Sequence, residues 1–336
     1  MFMKIISDRS EINFDNLEQF VYHHPHGNFF QSTKAYEFFQ SVENYEPVLL
    51  VAKKGNEMVG SLLAALMKEK GIKGYFSRRC IVWGGPLVKE DNPHIAHGLL
   101  DKLNQIVSSK TIYTEFRNLY DICWAQASFL ENGFQFNDHL NYLVKVDSLE
   151  NAKRKLSKSK LRQINQSLKL GASIIEPRNL EDVRNFYHIL VKLYKEKVKK
   201  SLPVFNFFEK FYTGVSLGKY FLIEQNNRIV GGILCPIYKD TIYEWFVCGK
   251  DGDIKNVYPS VLATWAPIEY AARNGLTYFD FMGAGKPDAD YGVREFKSKF
   301  GGELVNYGRF LRINKPVLYF IGKVGVKVLG WVGSVF

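Results

Sequence analysis

At 336 residues the chain is longer than one hydrophobic core usually serves, and 46% hydrophobic with 15% aromatic residues supplies enough apolar material for two cores. This excludes a disordered or low-complexity chain, and Cys80, Cys123, Cys235 and Cys248, far apart and without a CxxC pair, read as reduced core thiols of a cytoplasmic protein. The net charge of +11 is uneven, with 15 Lys+Arg against 18 Asp+Glu in residues 1–150 and 30 against 16 in residues 151–336, so an anionic partner is expected for the second half: nucleic acid, a phosphorylated substrate or an anionic membrane surface.

The start, MFMKIISDRSEINFD, has no apolar run and no small-residue cleavage site, so secretion is not expected. His23, His24 and His26 crowd around Pro25 without metal-ligand spacing and read as a plain loop. Residues 48–67 read as strand, polar turn, strand. A helical stretch and a strand follow over 95–116. The boundary between two halves is expected near 148–152, where Ser148 can cap a helix over roughly 149–170. That helix carries Lys153, Arg154, Lys155, Lys158, Lys160, Arg162 and Lys169 among few apolar residues and is expected to be largely exposed. A second basic helix over 186–200 presents Phe186, Ile189, Leu190 and Leu193 to a core.

Residues 219–238 then repeat the hairpin of 48–67 without a gap, placing Asn56 on Asn227, Val59 on Val230 and Gly60 on Gly231, and 260–281 echoes 95–116. A two-stranded turn, further strand material, a helix and another strand is the element order of the Gcn5-related acyltransferase (GNAT) fold. After Phe281 an apolar strand empties into a turn opened by Gly283 and Gly285, followed by Asp288, Asp290 and Tyr291 and a short helix with Arg294, Lys297 and Lys299. The last stretch, 316–336, is apolar, but Lys323 and Lys327 argue against a span. A helix closing the core, or an amphipathic helix on the inner leaflet with Trp331 at the interface, fits better.

The segments FFQSTKAYEFF (29–39), KSKLRQINQSLKLGASI (158–174), YPSVLATWAPIEYAARNG (258–275), YFDFMGAG (278–285) and FKSKFGG (296–302) resemble the Fem family of peptidoglycan-bridge aminoacyltransferases, in the compact form without a coiled-coil arm. The resemblance implies an α/β (α+β) chain of two tandem GNAT-like domains, each a mixed central sheet flanked by helices. They are expected over 1–150 and 151–336, the second with a basic N-terminal and an apolar C-terminal helix. It further implies transfer of an aminoacyl group from aminoacyl-tRNA, a co-substrate, to an amine of a lipid-linked or nucleotide-linked peptidoglycan precursor, with no cofactor or metal and possible peripheral contact with the inner membrane surface. Lys297, in a Phe-Lys pair matching the family's own, is the first catalytic candidate, as oxyanion stabiliser or contact to the donor's terminal phosphate. Asp288 and Asp290 are candidate bases. Phe296, Tyr258, Arg294, Tyr291, Lys160 and Arg162 are the candidate substrate contacts, and Asp280 is expected to cap a turn or pair with a basic neighbour.

Coenzyme A-dependent relatives of the fold hold the pyrophosphate on an [RQ]-x-x-G-x-[GA] loop, and neither VCGKDGDIKNVYPSVL nor VWGGPLVKEDNPHI fits it. An acyl-CoA-dependent N-acyltransferase of a surface-polysaccharide or small-amine substrate remains the alternative. A noncatalytic RNA- or membrane-binding protein is the third reading.

Overall fold

The computed structural model describes residues 3–69, 74, 77–199, 201–289 and 291–322. The chain forms two compact units: unit 1 runs to Asp138 and resumes at Tyr307, and unit 2 is His139–Asn306.

Unit 1 holds β1 (Met3–Ile6), β2 (Tyr45–Lys54), β3 (Glu57–Met67), β4 (Arg79–Trp83), β5 (Leu87–Val88), β6 (Tyr113–Arg117) and β7 (Gln135–Asn137). Its helices are α1 (Phe14–His23), α2 (Thr33–Ser41), α3 (Pro93–Val107) and α4 (Gln126–Glu131). Unit 2 holds β8 (Leu140–Lys145), β9 (Ser173–Ile175), β10 (Gly218–Gln225), β11 (Arg228–Tyr238), β12 (Thr241–Tyr243), β13 (Phe246–Gly249), β14 (Tyr278–Asp280) and β15 (Glu303–Asn306). Its helices are α5 (Leu149–Lys155), α6 (Lys158–Lys169), α7 (Leu180–Leu193), α8 (Phe205–Thr213), α9 (Pro259–Arg273) and α10 (Gly292–Ser298). A last strand, β16 (Arg309–Ile313), returns to unit 1.

Each unit is built on a mixed sheet. The orders are β1-β2-β3-β4-β6-β16-β7, with β5 on β3, and β15-β8-β14-β12-β11-β10-β9, with β13 on β11. The repeat read from the sequence is a repeat of structure. The hairpins β2–β3 and β10–β11 each carry a register shift, between Ala52 and Lys53 and between Ile223 and Glu224, at equivalent places in the alignment. In the second turn Asn226 (φ 50°) and Asn227 (φ 56°) both take the left-handed conformation, which matches the twist of the strands they join. The paired glycines both make room for a helix. A Cβ on Gly60 would stand 2.9 Å from Ile95 Cγ2 of α3, and one on Gly231 would stand 3.0 Å from Pro259 Cβ of α9. Without side chains there, α3 and α9 lie directly on their hairpins.

The division differs from the expected one at 150/151. β8 follows β7 after two residues, yet pairs with β14 and β15, while β16 pairs with β6 and β7. The two units thus exchange a strand of chain, which an alternating apolar pattern cannot reveal.

Local corrections follow from caps. The single helix expected over 149–170 is broken at Leu156, whose extended backbone (ψ 144°) turns the buried side chain inward, and Ser157 Oγ caps the next helix by accepting from Lys160 N. Within α6, Lys160 is buried with Ile164 and Ser167, against the expectation of an exposed basic face. The second basic helix starts earlier, at Leu180, and ends in a π turn over Tyr194–Val198. Three cysteines are buried, but Cys123 is exposed. His24 Nε2 bonds Val88 O at 3.0 Å, and His26 stacks on Tyr120 at 4.0 Å, so both rings pack the loop. Among the described residues no helix is long and apolar enough to cross a membrane, and Lys323, Lys327 and Trp331 lie outside them.

Candidate active site

β14 ends in a buried core containing Phe279, Phe281, Trp265 and Phe300, and the chain must then turn at once. Met282 (φ 54°), Gly283 (φ 142°) and Gly285 (φ 81°) make that turn. Asp280 Oδ1 locks it, accepting from Met282 N at 2.6 Å and from Asn141 Nδ2 at 2.7 Å, while Asn141 Oδ1 accepts from Gly283 N at 2.7 Å. Burial pushes the Asp280 carboxyl up to about 6, although these two donors and Lys297 favour its charged form.

The turn leaves two carbonyls pointing inward, and Lys297 of α10 fills the space between them. Its Nζ donates to Phe281 O at 2.9 Å and Gly283 O at 2.8 Å, and pairs with Glu244 Oε1 at 2.7 Å. With 9% of its side chain exposed, Lys297 is a buried cation with every proton directed. Its partner, Glu244, was missed by sequence reasoning. The signal was present as one acid inside the apolar run TIYEWFVC. Glu244 sits in the interruption between β12 and β13, both of which pair with β11, held by its backbone N–H on Asp280 O at 2.8 Å. Burial pushes its carboxyl up while Lys297 pulls it down, and its second oxygen, Oε2, has no hydrogen-bond partner. A buried carboxylate oxygen without a donor is costly unless something is meant to meet it.

Glu244 is among the residues that line a cleft of about 420 Å³ in unit 2. Leu193, Val247, Val293 and Phe296 form apolar walls, and Lys297, Glu244, Asp251 and Ser260 are polar members of the lining. A cleft that combines apolar walls with many charged and polar residues, Lys192, Glu196, Lys197, Lys250 and Asp253 among them, and a buried acid of raised pKa has the composition of a reaction site.

The other expected residues divide. Phe296 lines the cleft and carries Lys160 Nζ 4.0 Å over its ring, and burial, followed by the charge of Lys299, lowers the Lys160 ammonium to about 8. Arg294 is not open to substrate: it donates to Ala284 O (3.1 Å), Pro287 O (3.1 Å), Ala289 O (3.0 Å) and Lys286 O, and thereby staples the loop after the turn. Tyr291 is 41% exposed with its ring against Gly285, where a Cβ would come within 2.7 Å of Tyr291 Cδ1. Arg162 and Asp288 are exposed, and Asp290 lies outside the described residues.

Tyr258 stands at the start of α9, where a helix leaves backbone donors without intrahelical partners, but here those donors are not free. Pro259 has no N–H, Ser260 N donates to Asp251 Oδ1 at 3.0 Å, and Val261 N and Leu262 N both return to Tyr258 O at 3.1 Å. Tyr258's own N–H goes to Ser167 Oγ at 3.0 Å. A carboxylate therefore occupies the place at the helix start that would hold a phosphate.

Residues 153–298 match the model of an acetyltransferase (GNAT) domain. No curated protein matches by sequence. The crystal structure of FemX is similar, with a TM-score of 0.70 at 14% identity over 95% of this chain and 100% of that one. A tandem GNAT protein from the clavulanic acid biosynthesis pathway gives 0.62 at 10% identity over 93% and 99%, and L-PGS from Bacillus licheniformis gives 0.56 at 15% over 95% and 97%. The chain has the Fem-like tandem GNAT fold.

Proposed function

We propose that the chain is an acyltransferase whose unit 2 moves an aminoacyl group from aminoacyl-tRNA to an amine of a peptidoglycan precursor. The observation that carries the reaction type is the buried Lys297–Glu244 pair, both members of the cleft lining, with Glu244 Oε2 unpartnered. Aminoacyl transfer from an ester needs a neutral amine as nucleophile, a place for the amine's proton and positive charge near the carbonyl oxygen. Glu244 Oε2 accepts the proton released as the amine nitrogen bonds to the ester carbon, and burial makes this carboxylate a stronger base than an exposed glutamate. Lys297 supplies the positive charge. The proton then leaves on the ribose oxygen as the ester C–O bond breaks, so no metal or covalent enzyme intermediate is required. In this scheme Glu244 replaces Asp288 and Asp290 as base.

The choice of donor rests on the occupied start of α9, which disfavours a coenzyme A pyrophosphate there, and on the resemblance to the Fem family. An acyl-CoA donor is the second reading, favoured by the match of residues 153–298 to an acetyltransferase domain. Incubation with charged tRNA or acyl-CoA, and with lipid-linked or soluble murein precursors, followed by mass spectrometry of the acceptor, separates them. Transfer from acyl-CoA alone sinks the tRNA reading, and transfer from neither donor leaves a binding protein. Glu244→Gln is expected to lower kcat by about 10²–10⁴-fold with the fold intact, and unchanged kcat removes Glu244 from the mechanism.

A further inference from the structure

Unit 1 holds a cavity that the proposed transfer reaction does not use. β1 pairs with β2 as far as Ile6 opposite Val51, while β2 itself reaches back to Tyr45 with β3 on its other side. The chain turns away after β1, where Asp8 caps the turn Arg9–Glu11, its Oδ1 accepting from Ser10 N at 2.9 Å. The edge of β2 from Pro47 to Leu49 is therefore not covered by β1, and a cavity of about 300 Å³ lies against it. Ile12, Pro47, Val48, Leu49 and Ile106 of α3 supply its apolar walls, and Ser7, Arg9 and Tyr36 of α2 are its polar members. That volume is at the lower end of cavities that hold a small ligand.

Among the described residues Arg9 is the one charged member of this lining, and its guanidinium makes no hydrogen bond or ion pair. The acids nearest it in sequence and along β2 are engaged elsewhere. Asp8 Oδ1 also accepts from Ser10 Oγ at 2.7 Å, Glu11 pairs with Lys4 at 2.5 Å, and Glu46 pairs with Lys110 at 2.9 Å. Arg9 is instead held over the Phe14 ring, 3.5 Å from its centroid, and Phe14 meets Tyr36 edge-on at 5.1 Å. Tyr36 is 8% exposed, and its hydroxyl has no hydrogen-bond partner among the described residues. A positioned guanidinium and a hydroxyl without acceptors, together with aliphatic walls, call for a ligand with an anionic head and an aliphatic body. One fixed cation balances one negative charge, and a guanidinium fork presents parallel N–H donors to the two oxygens of a carboxylate. A phosphomonoester, at about −1.5 to −2, would leave charge uncompensated against apolar walls.

We propose that this cavity at the open edge of β2 binds a small aliphatic monocarboxylate, with Arg9 and Tyr36 on its carboxylate. The site stands independently of the proposed transfer reaction. The full chain, labelled with carbon-13 at its isoleucine methyls, is titrated with hexanoate, with hexan-1-ol and with inorganic phosphate, and binding is read from methyl shifts and by calorimetry. Hexanoate is expected to shift Ile12 and Ile106 and to bind at least about tenfold more tightly than hexan-1-ol or phosphate. Arg9→Met is expected to weaken hexanoate by at least about tenfold, the value of a lost charge-assisted bond, and Tyr36→Phe, which keeps the ring, by about three- to tenfold. Lys54→Met removes one positive charge from the exposed far end of β2 and is expected to leave binding unchanged. Arg9 is exposed, so Arg9→Met should fold as the wild type does, and hexanoate should raise the melting temperature of the wild type more than that of the variant. Hexan-1-ol or phosphate binding as tightly as hexanoate, equal loss in Arg9→Met and Lys54→Met, methyl shifts that spare Ile12 and Ile106, or no binding overturns the proposal.

Discussion

Replacing Lys297 by Met keeps the length and apolar stem of the side chain and deletes its charge. Glu244, with 5% of its side chain exposed, is then left without the cation that holds it ionised, and Phe281 O and Gly283 O lose their donor. Breaking a buried pair on one side costs about 3–5 kcal/mol when the remaining charge stays ionised. The remaining group has a way out, because burial already pushes the Glu244 carboxyl above its ordinary 4.5 and Lys297 is the cation drawing it down. In the variant its pKa therefore rises further. A carboxyl raised on folding makes the folded state bind more protons than the unfolded one, so its stability is greatest at low pH. That stability is lost as pH climbs from 4.5 through the raised value. Urea unfolding followed by tryptophan fluorescence should show the larger cost at pH 8 and a smaller one at pH 5, where more of Glu244 is neutral. Adding Glu244→Gln removes the stranded charge and should restore stability at pH 8 to within about 1–2 kcal/mol of the wild type. Equal losses at pH 5 and pH 8, together with no recovery in the double variant, would refute the buried pair.

Two further outcomes follow from the same geometry. Asp280 has a folded pKa of about 6 against 3.8 in the unfolded chain, so the wild type should lose stability as pH rises through that window. Asp280→Asn keeps an oxygen for Asn141 Nδ2 and Met282 N and should reduce that slope in pH-dependent unfolding, leaving the part that Glu244 contributes; an unchanged slope means Asp280 does not titrate there. Gly231→Ala should cost about 1–3 kcal/mol and more than Gly60→Ala, because its Cβ meets the backbone oxygen of Cys248 at 2.8 Å whereas Gly60 meets the movable Ile95 side chain. Thermal melts in which Gly60→Ala is the worse of the two would contradict this.

Much of the fold was legible in local pattern. Alternation, polar turns and the glycines at 60 and 231 disclosed two copies of one hairpin, and the structure gives them the same bulge. The site was legible only in part. Lys297 stood out as a cation beside aromatics, but its meaning depends on Glu244, more than fifty residues earlier, and on two carbonyls exposed by a turn. Arg294 and Tyr258 looked available because sequence shows a donor without showing what it already holds. Arg294 is spent on four loop carbonyls, and the amides that follow Tyr258 are spent on Asp251 and on Tyr258 itself.

By itself the sequence determined the elements, their repetition and the basic character of the second half, because these depend on residues close together in the chain and on simple sums of charge. Only the tertiary structure decided which sheet receives β8 and β16, which cations are buried and which carboxylate each one meets. Those choices are made between segments distant in sequence. There, pairing and desolvation, rather than residue type, set whether Lys297 is a surface charge or a buried one paired with Glu244, and which carboxylate Arg309 meets.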